Sequence, residues 1–76
     1  MFIKKIHLHS FEEVKAFVSL MNDYNCDAQL IDEEYQVNPR SIIGVLGINL
    51  AQKVILRLHS HPCKELEHKL HPFIAE

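Results

Sequence analysis

The chain has 76 residues, 47% of them hydrophobic and 24% charged, with a formal net charge of −2. That length holds one domain with one thin core, burying only about 60% of the unfolded chain's surface, and the composition is globular rather than disordered. The lack of any basic run argues against general nucleic-acid or anionic-membrane binding, and no apolar run approaches the roughly 18 residues of a membrane span. The N-terminus carries no signal-peptide pattern. Two cysteines, Cys26 and Cys63, make a poor disulfide framework. They read as buried thiols of a cytoplasmic protein.

From Phe2 to Leu8 the chain alternates, with Phe2, Ile6 and Leu8 on one face and Ile3, Lys5 and His7 on the other, which predicts a half-buried strand. Ser10 and Glu13 follow with the spacing of a capping box. Behind them Phe11, Val14, Phe17, Val18 and Met21 form one helical stripe, so a helix is expected from about Phe11 to Asn22. Cys26 to Ile31 suggests a second strand, Asp32-Glu33-Glu34 a turn, and Tyr35 to Val37 a short third strand.

Pro39 disfavours helix at Asn38, and Ser41 is a natural N-cap for a helix of one or two turns from Ile42 to Gly47. Lys53 to His59 is the strongest strand signal, with Val54, Leu56 and Leu58 on one face. Ser60 is placed to cap a last helix with Pro62 in its first turn and Cys63, Leu66 and Leu70 as its stripe. Pro72 ends that helix, and Phe73 and Ile74 fold back. Strand, helix, strand, strand, short helix, strand, helix is the order. A sheet this small takes its helices on a single face, so the expected class is an α+β two-layer sandwich.

For chemistry, the sequence has no glycine-rich phosphate loop, nucleophile elbow or CxxC pair, and only two glycines in all. No autonomous active site and no cofactor are expected. Six histidines fall in three pairs: His7 with His9, His59 with His61, and His68 with His71. On a strand, His-x-His puts both rings on one side, as a metal site requires. Here the alternation sets His7 and His59 among solvated residues, and neither cysteine completes a cage, so no metal site is assigned. His9, just ahead of a helix start, has the position of a phosphoryl acceptor. Glu12 and Glu13 in that first turn oppose phosphate, and Ser10 is accounted for as the cap.

Ser41 is the strongest candidate. Arg40, expected to belong to the partner-binding surface, precedes it, and Ile42, Ile43, Val45, Leu46 and Ile48 follow. So short a helix cannot turn all of them inward, so Ile42, Ile43 and Leu46 are expected to form an exposed apolar patch of the kind that marks a partner surface. A phosphate on Ser41 would be compatible with the helix start and would place nearly two negative charges on the rim of that patch.

The run Val37-Asn38-Pro39-Arg40-Ser41-Ile42-Ile43-Gly44-Val45-Leu46-Gly47-Ile48-Asn49-Leu50 resembles the V-N-x-K/R-S-I-M-G-V stretch of HPr, the phosphocarrier family of the bacterial sugar phosphotransferase system. The match extends back through Tyr24-Asn25-Cys26-Asp27 and Phe17-Val18 and forward to Leu56 and Leu58. The resemblance implies an open-faced β-α-β-β-α-β-α sandwich with a four-stranded antiparallel sheet. It also implies that Ser41 matches the serine phosphorylated by a dedicated kinase, and that Ile42, Ile43 and Leu46 match the family's docking patch.

The chain departs from the family at its first helix. Ser10-Phe11-Glu12-Glu13-Val14 stands where HPr has G-I/L-H-A-R-P-A, so serine replaces the phospho-acceptor histidine and Glu12 its supporting arginine. Some members of that family, such as the catabolite-repression protein Crh, likewise lack that histidine and keep the serine, though they retain the arginine and loop that this chain lacks. The leading expectation is therefore a non-catalytic regulatory or protein-binding module related to sugar transport. Its partners would be a serine kinase, phosphotransferase components or a transcriptional regulator. The alternatives are a divergent phosphocarrier using His9, and a plain interaction domain that is monomeric or weakly dimeric.

Overall fold

A computed structural model describes residues 2–24, 27–33, 35–48 and 52–75. The chain runs β1 (Phe2–Ile6), α1 (Phe11–Asp23), β2 (Ala28–Asp32), β3 (Tyr35–Val37), α2 (Ile42–Leu46), β4 (Val54–Leu58) and α3 (Lys64–Leu70), followed by a 3-10 turn at His71–Phe73. The four strands form one sheet in the order β1-β4-β2-β3, with every neighbouring pair antiparallel.

The sheet is built around β4. Val54, Leu56 and Leu58 are buried while Ile55 and Arg57 between them are half-exposed, the period of a strand covered on one side. In register, Leu56 faces Leu30 of β2 and Lys4 of β1, and Leu58 faces Phe2. Phe2 and Ile6 are buried on that same side, and Leu8 continues it past the strand. All three helices add their buried residues to this one cluster: Val14, Phe17 and Met21 from α1, Val45 from α2, Leu66 and Leu70 from α3. The helices thus form the second layer. Ile3, Lys5, Ile31, Ile55 and Arg57 point the other way and leave an open sheet face.

The capping box at the start of α1 holds in its first half. Ser10 is extended, and its Oγ accepts the Glu13 amide at 3.3 Å. The Glu13 carboxylate returns to the chain, but at the His9 amide (3.0 Å), one residue ahead of the cap. Three expectations fail. Phe11 is 49% exposed: as the first helical residue it stands where the buried stripe runs out, with the Lys15 ammonium 5.3 Å from its ring centre. Ser60 is exposed and caps nothing, because α3 begins only at Lys64, after an extended Cys63. Pro62 is buried and holds His61 out of the helical region, so the helix starts beyond it. Cys63 is consequently exposed rather than on the buried stripe. The companion thiol Cys26, Glu34 of the turn, and Asn49 and Leu50 of the serine segment lie outside the described residues.

The last residues seal one sheet edge. Ile6 bridges Ile74 antiparallel, the His7 amide donates to the Phe73 carbonyl (3.0 Å) and the Ala75 amide to the Lys5 carbonyl (2.9 Å). Phe73 also meets Phe17 edge-on, with ring centres 5.6 Å apart.

Candidate functional site

The segment around Ser41 is set up by its own backbone chemistry. The Asn38 side-chain oxygen accepts the Arg40 amide at 2.9 Å, an Asx turn, and the Asn38 carbonyl accepts the Ser41 amide at 3.0 Å. Ser41 leaves that turn extended, and its Oγ accepts the Gly44 amide at 3.2 Å while its carbonyl accepts Val45 at 2.9 Å. Of the three serines read as caps from spacing, Ser10 and Ser41 therefore cap and Ser60 does not.

Val45 and Ile48 are buried and anchor α2 to the core. The remaining apolar residues of α2 face outward: Ile42 is 38% exposed, Leu46 45% and Ile43 82%. Gly44 explains how α2 can lie so low. A Cβ there would stand 2.8 Å from Val37 Cγ1, so α2 packs against β3 at a distance only glycine allows. The outcome is a five-residue helix pinned on one side and apolar on the other.

Arg40 has a structural role that its sequence position did not reveal. Its Nε donates to the Met21 carbonyl (3.2 Å) and its Nη2 to the Tyr24 carbonyl (2.9 Å), satisfying the open end of α1. Asn22 answers from α1, its amide donating to the Arg40 carbonyl at 3.0 Å and to the Val18 carbonyl at 2.8 Å. The approach to Ser41 is thereby tied to the C-terminal end of α1. Tyr24, next to this knot, donates its hydroxyl to Glu65 at 2.6 Å, and Lys69 reaches the same carboxylate oxygen at 3.2 Å. The Glu65 hydrogen bond raises the Tyr24 phenol above its ordinary value, the Tyr24 hydroxyl lowers the Glu65 carboxyl, and Tyr24 together with Glu65 raises the Lys69 ammonium.

His9 and Ser10 sit at the other end of α1. About 18 Å of helix separates Ser10 from Asn22 at 1.5 Å per residue, so the structure does not bring His9 and Ser41 together. The exposed His9 ring lies against His7, centres 4.0 Å apart and planes tilted by 37°, and its amide is taken by Glu13. With Glu12 also in this turn, the surroundings of His9 are acidic. The other histidines disperse: His61 lies edge-on to Phe2 and 3.2 Å from a Glu67 oxygen, while His68 and His71 face a cleft beside α3. Among the described residues no three histidine, cysteine or acidic side chains gather as a metal ion would need. No helix among them is long and apolar enough to cross a membrane. Compared with known proteins, the chain matches no family model and no curated protein sequence.

Proposed function

We propose that this protein is an HPr-like, non-catalytic regulatory or protein-binding module in which α2 is the recognised element. Ser41 is its regulatory position, and Ile42, Ile43 and Leu46 are its docking residues. The observation that supports this most is Ile43, 82% exposed on a helix whose other side is pinned by Val45, Ile48 and the close approach at Gly44. A large apolar side chain held out by a rigid base suits a partner, since isolated burial would have favoured turning it inward. The sequence pattern around Ser41 gives the partner class: a serine kinase and the phosphotransferase components or regulator that read its product. Arg40 contributes by fixing the approach to the serine rather than by reaching outward with both arms of its guanidinium.

Phosphorylation would act at the rim of the patch, adding nearly two charges beside Ile42 and Ile43 and changing which partners tolerate the surface. Incubating the folded chain with the family's serine kinase and ATP, followed by peptide mass spectrometry, tests this reading. A single phosphate on Ser41, absent from Ser41→Ala, is the expected result. An unmodified Ser41 removes the switch; with the phosphotransferase system's first enzyme supplying the phosphoryl group instead, an acid-labile phosphate lost in His9→Ala would replace this reading with that of a phosphocarrier.

A further inference from the structure

The sheet face turned away from the helices has a definite pattern. Strand pairing sets Lys5, Ile55, Ile31 and Gln36 in one row across it, and Ile3, Arg57 and Gln29 in the next. Its central polar groups are spent on one another. The Arg57 Nη2 donates to the Gln29 side-chain oxygen, and the Gln29 amide donates to the Gln36 oxygen at 3.2 Å. What remains to be covered is isoleucine: Ile3 is 53% exposed, and Ile31 and Ile55 lie half-buried, side by side on the two central strands. Continuing the alternation puts Lys53 and Glu33 at one end of this face and Asp27 and His59 at the other. Lys5, Lys53 and Glu33 are exposed, and among the described residues none of the three is in an ion pair.

The order of these residues makes the face complementary to itself. A two-fold axis parallel to the strands, between β4 and β2, lays β4 over β2 of a second copy and β1 over β3. Ile31 then meets Ile55 of the copy at the centre, and Ile55 meets Ile31. Lys5 and Lys53 come over the copy's β2–β3 turn with Glu33, Arg57 comes over Gln29, and no two like charges are opposed. An axis across the strands would instead set Arg57 on Ile55 and Glu33 on Asp27. We propose that this protein pairs with a second copy of itself through the open sheet face, about the strand-parallel axis. Four strands about 4.8 Å apart, with five to seven residues of about 3.3 Å each, give a footprint of about 300–450 Å² per copy. That is about half of what each side of a standard complex buries, so the dimer is weak and half-formed at roughly 0.1–1 mM.

Sedimentation of the full chain between about 20 μM and about 2 mM tests this, with backbone amide shifts followed over the same range. Expected are a reversible monomer–dimer equilibrium and concentration-dependent shifts centred on residues 3–5, 29–31 and 55–57. Glu33→Lys should weaken association about fivefold. Adding Lys5→Glu should recover most of that loss, because these two side chains meet only across the interface. Ile31→Lys should weaken association at least about tenfold. Ile43→Lys, on the helix side of the molecule, should leave it unchanged. A chain monomeric throughout, a dimer lost in Ile43→Lys, or a double variant no tighter than Glu33→Lys alone would each overturn the assignment.

Discussion

Glu33 has a φ of 55°, the left-handed region, in the tight connection between Asp32 and Tyr35. Side chains with a Cβ are strained there by roughly 1–2 kcal/mol, and glycine is not. Glu33→Gly should therefore raise stability by about 0.5–1 kcal/mol in urea unfolding, after the entropy of the added glycine is counted. Gly44 works in the opposite sense. Alanine is favoured over glycine inside a helix by about 1 kcal/mol, yet the new methyl would press on Val37, a stiff β-branched neighbour. Overpacking of this kind costs about 1–3 kcal/mol, so Gly44→Ala should destabilise by about 1 kcal/mol net and lift α2 off β3. Unchanged stability in that variant would show that the close approach is not tight.

Between elements, Arg40 links α2 to α1. Removing a charged donor that serves two carbonyls at a helix end should cost about 1–2 kcal/mol in Arg40→Ala, and Arg40→Lys should recover only part, because an ammonium cannot reproduce the fork. The Tyr24–Glu65–Lys69 clasp joins α1 to α3 and has a definite pH sense. The lowered Glu65 carboxyl contributes above its unfolded value and loses that contribution as pH falls through its folded value. The raised phenol and ammonium contribute below their unfolded values and lose it as pH rises past about 10. A spectroscopic titration should find the Tyr24 phenol ionising above 10.0, and Glu65→Gln should bring it down. At this scale the sequence was a good guide wherever a local rule decides. Ser10 and Ser41 cap because a hydroxyl three residues ahead of a free amide is a short-range arrangement. Ser60 had the same spacing but lost to Pro62, whose burial no local pattern announces. Phe11 carried the right period but stood one turn beyond the core, and period alone cannot say where a core ends.

For the molecule as a whole, the alternation along β1 and β4 and the stripes of α1 and α3 made a one-sided sheet readable before any coordinates. The exposure of Ile42, Ile43 and Leu46 was readable too, by counting apolar residues against the length of α2. Replacing Ile43 with lysine should accordingly change stability by less than about 0.5 kcal/mol while abolishing any partner contact made there. A loss of several kcal/mol would place Ile43 in the fold instead. What no local pattern could reveal was the inward role of Arg40 and the cleft beside α3, since both join residues far apart in the chain. That same separation has a consequence in time. Phe2 pairs with Leu58, 56 positions later, and β4 stands between β1 and every other strand. At about 5–20 residues per second of synthesis, the first strand waits roughly 3–11 s for its neighbouring strand, so the newborn chain exposes Phe2, Ile6 and Leu8 to whatever chaperone meets it before β1 can join the sheet.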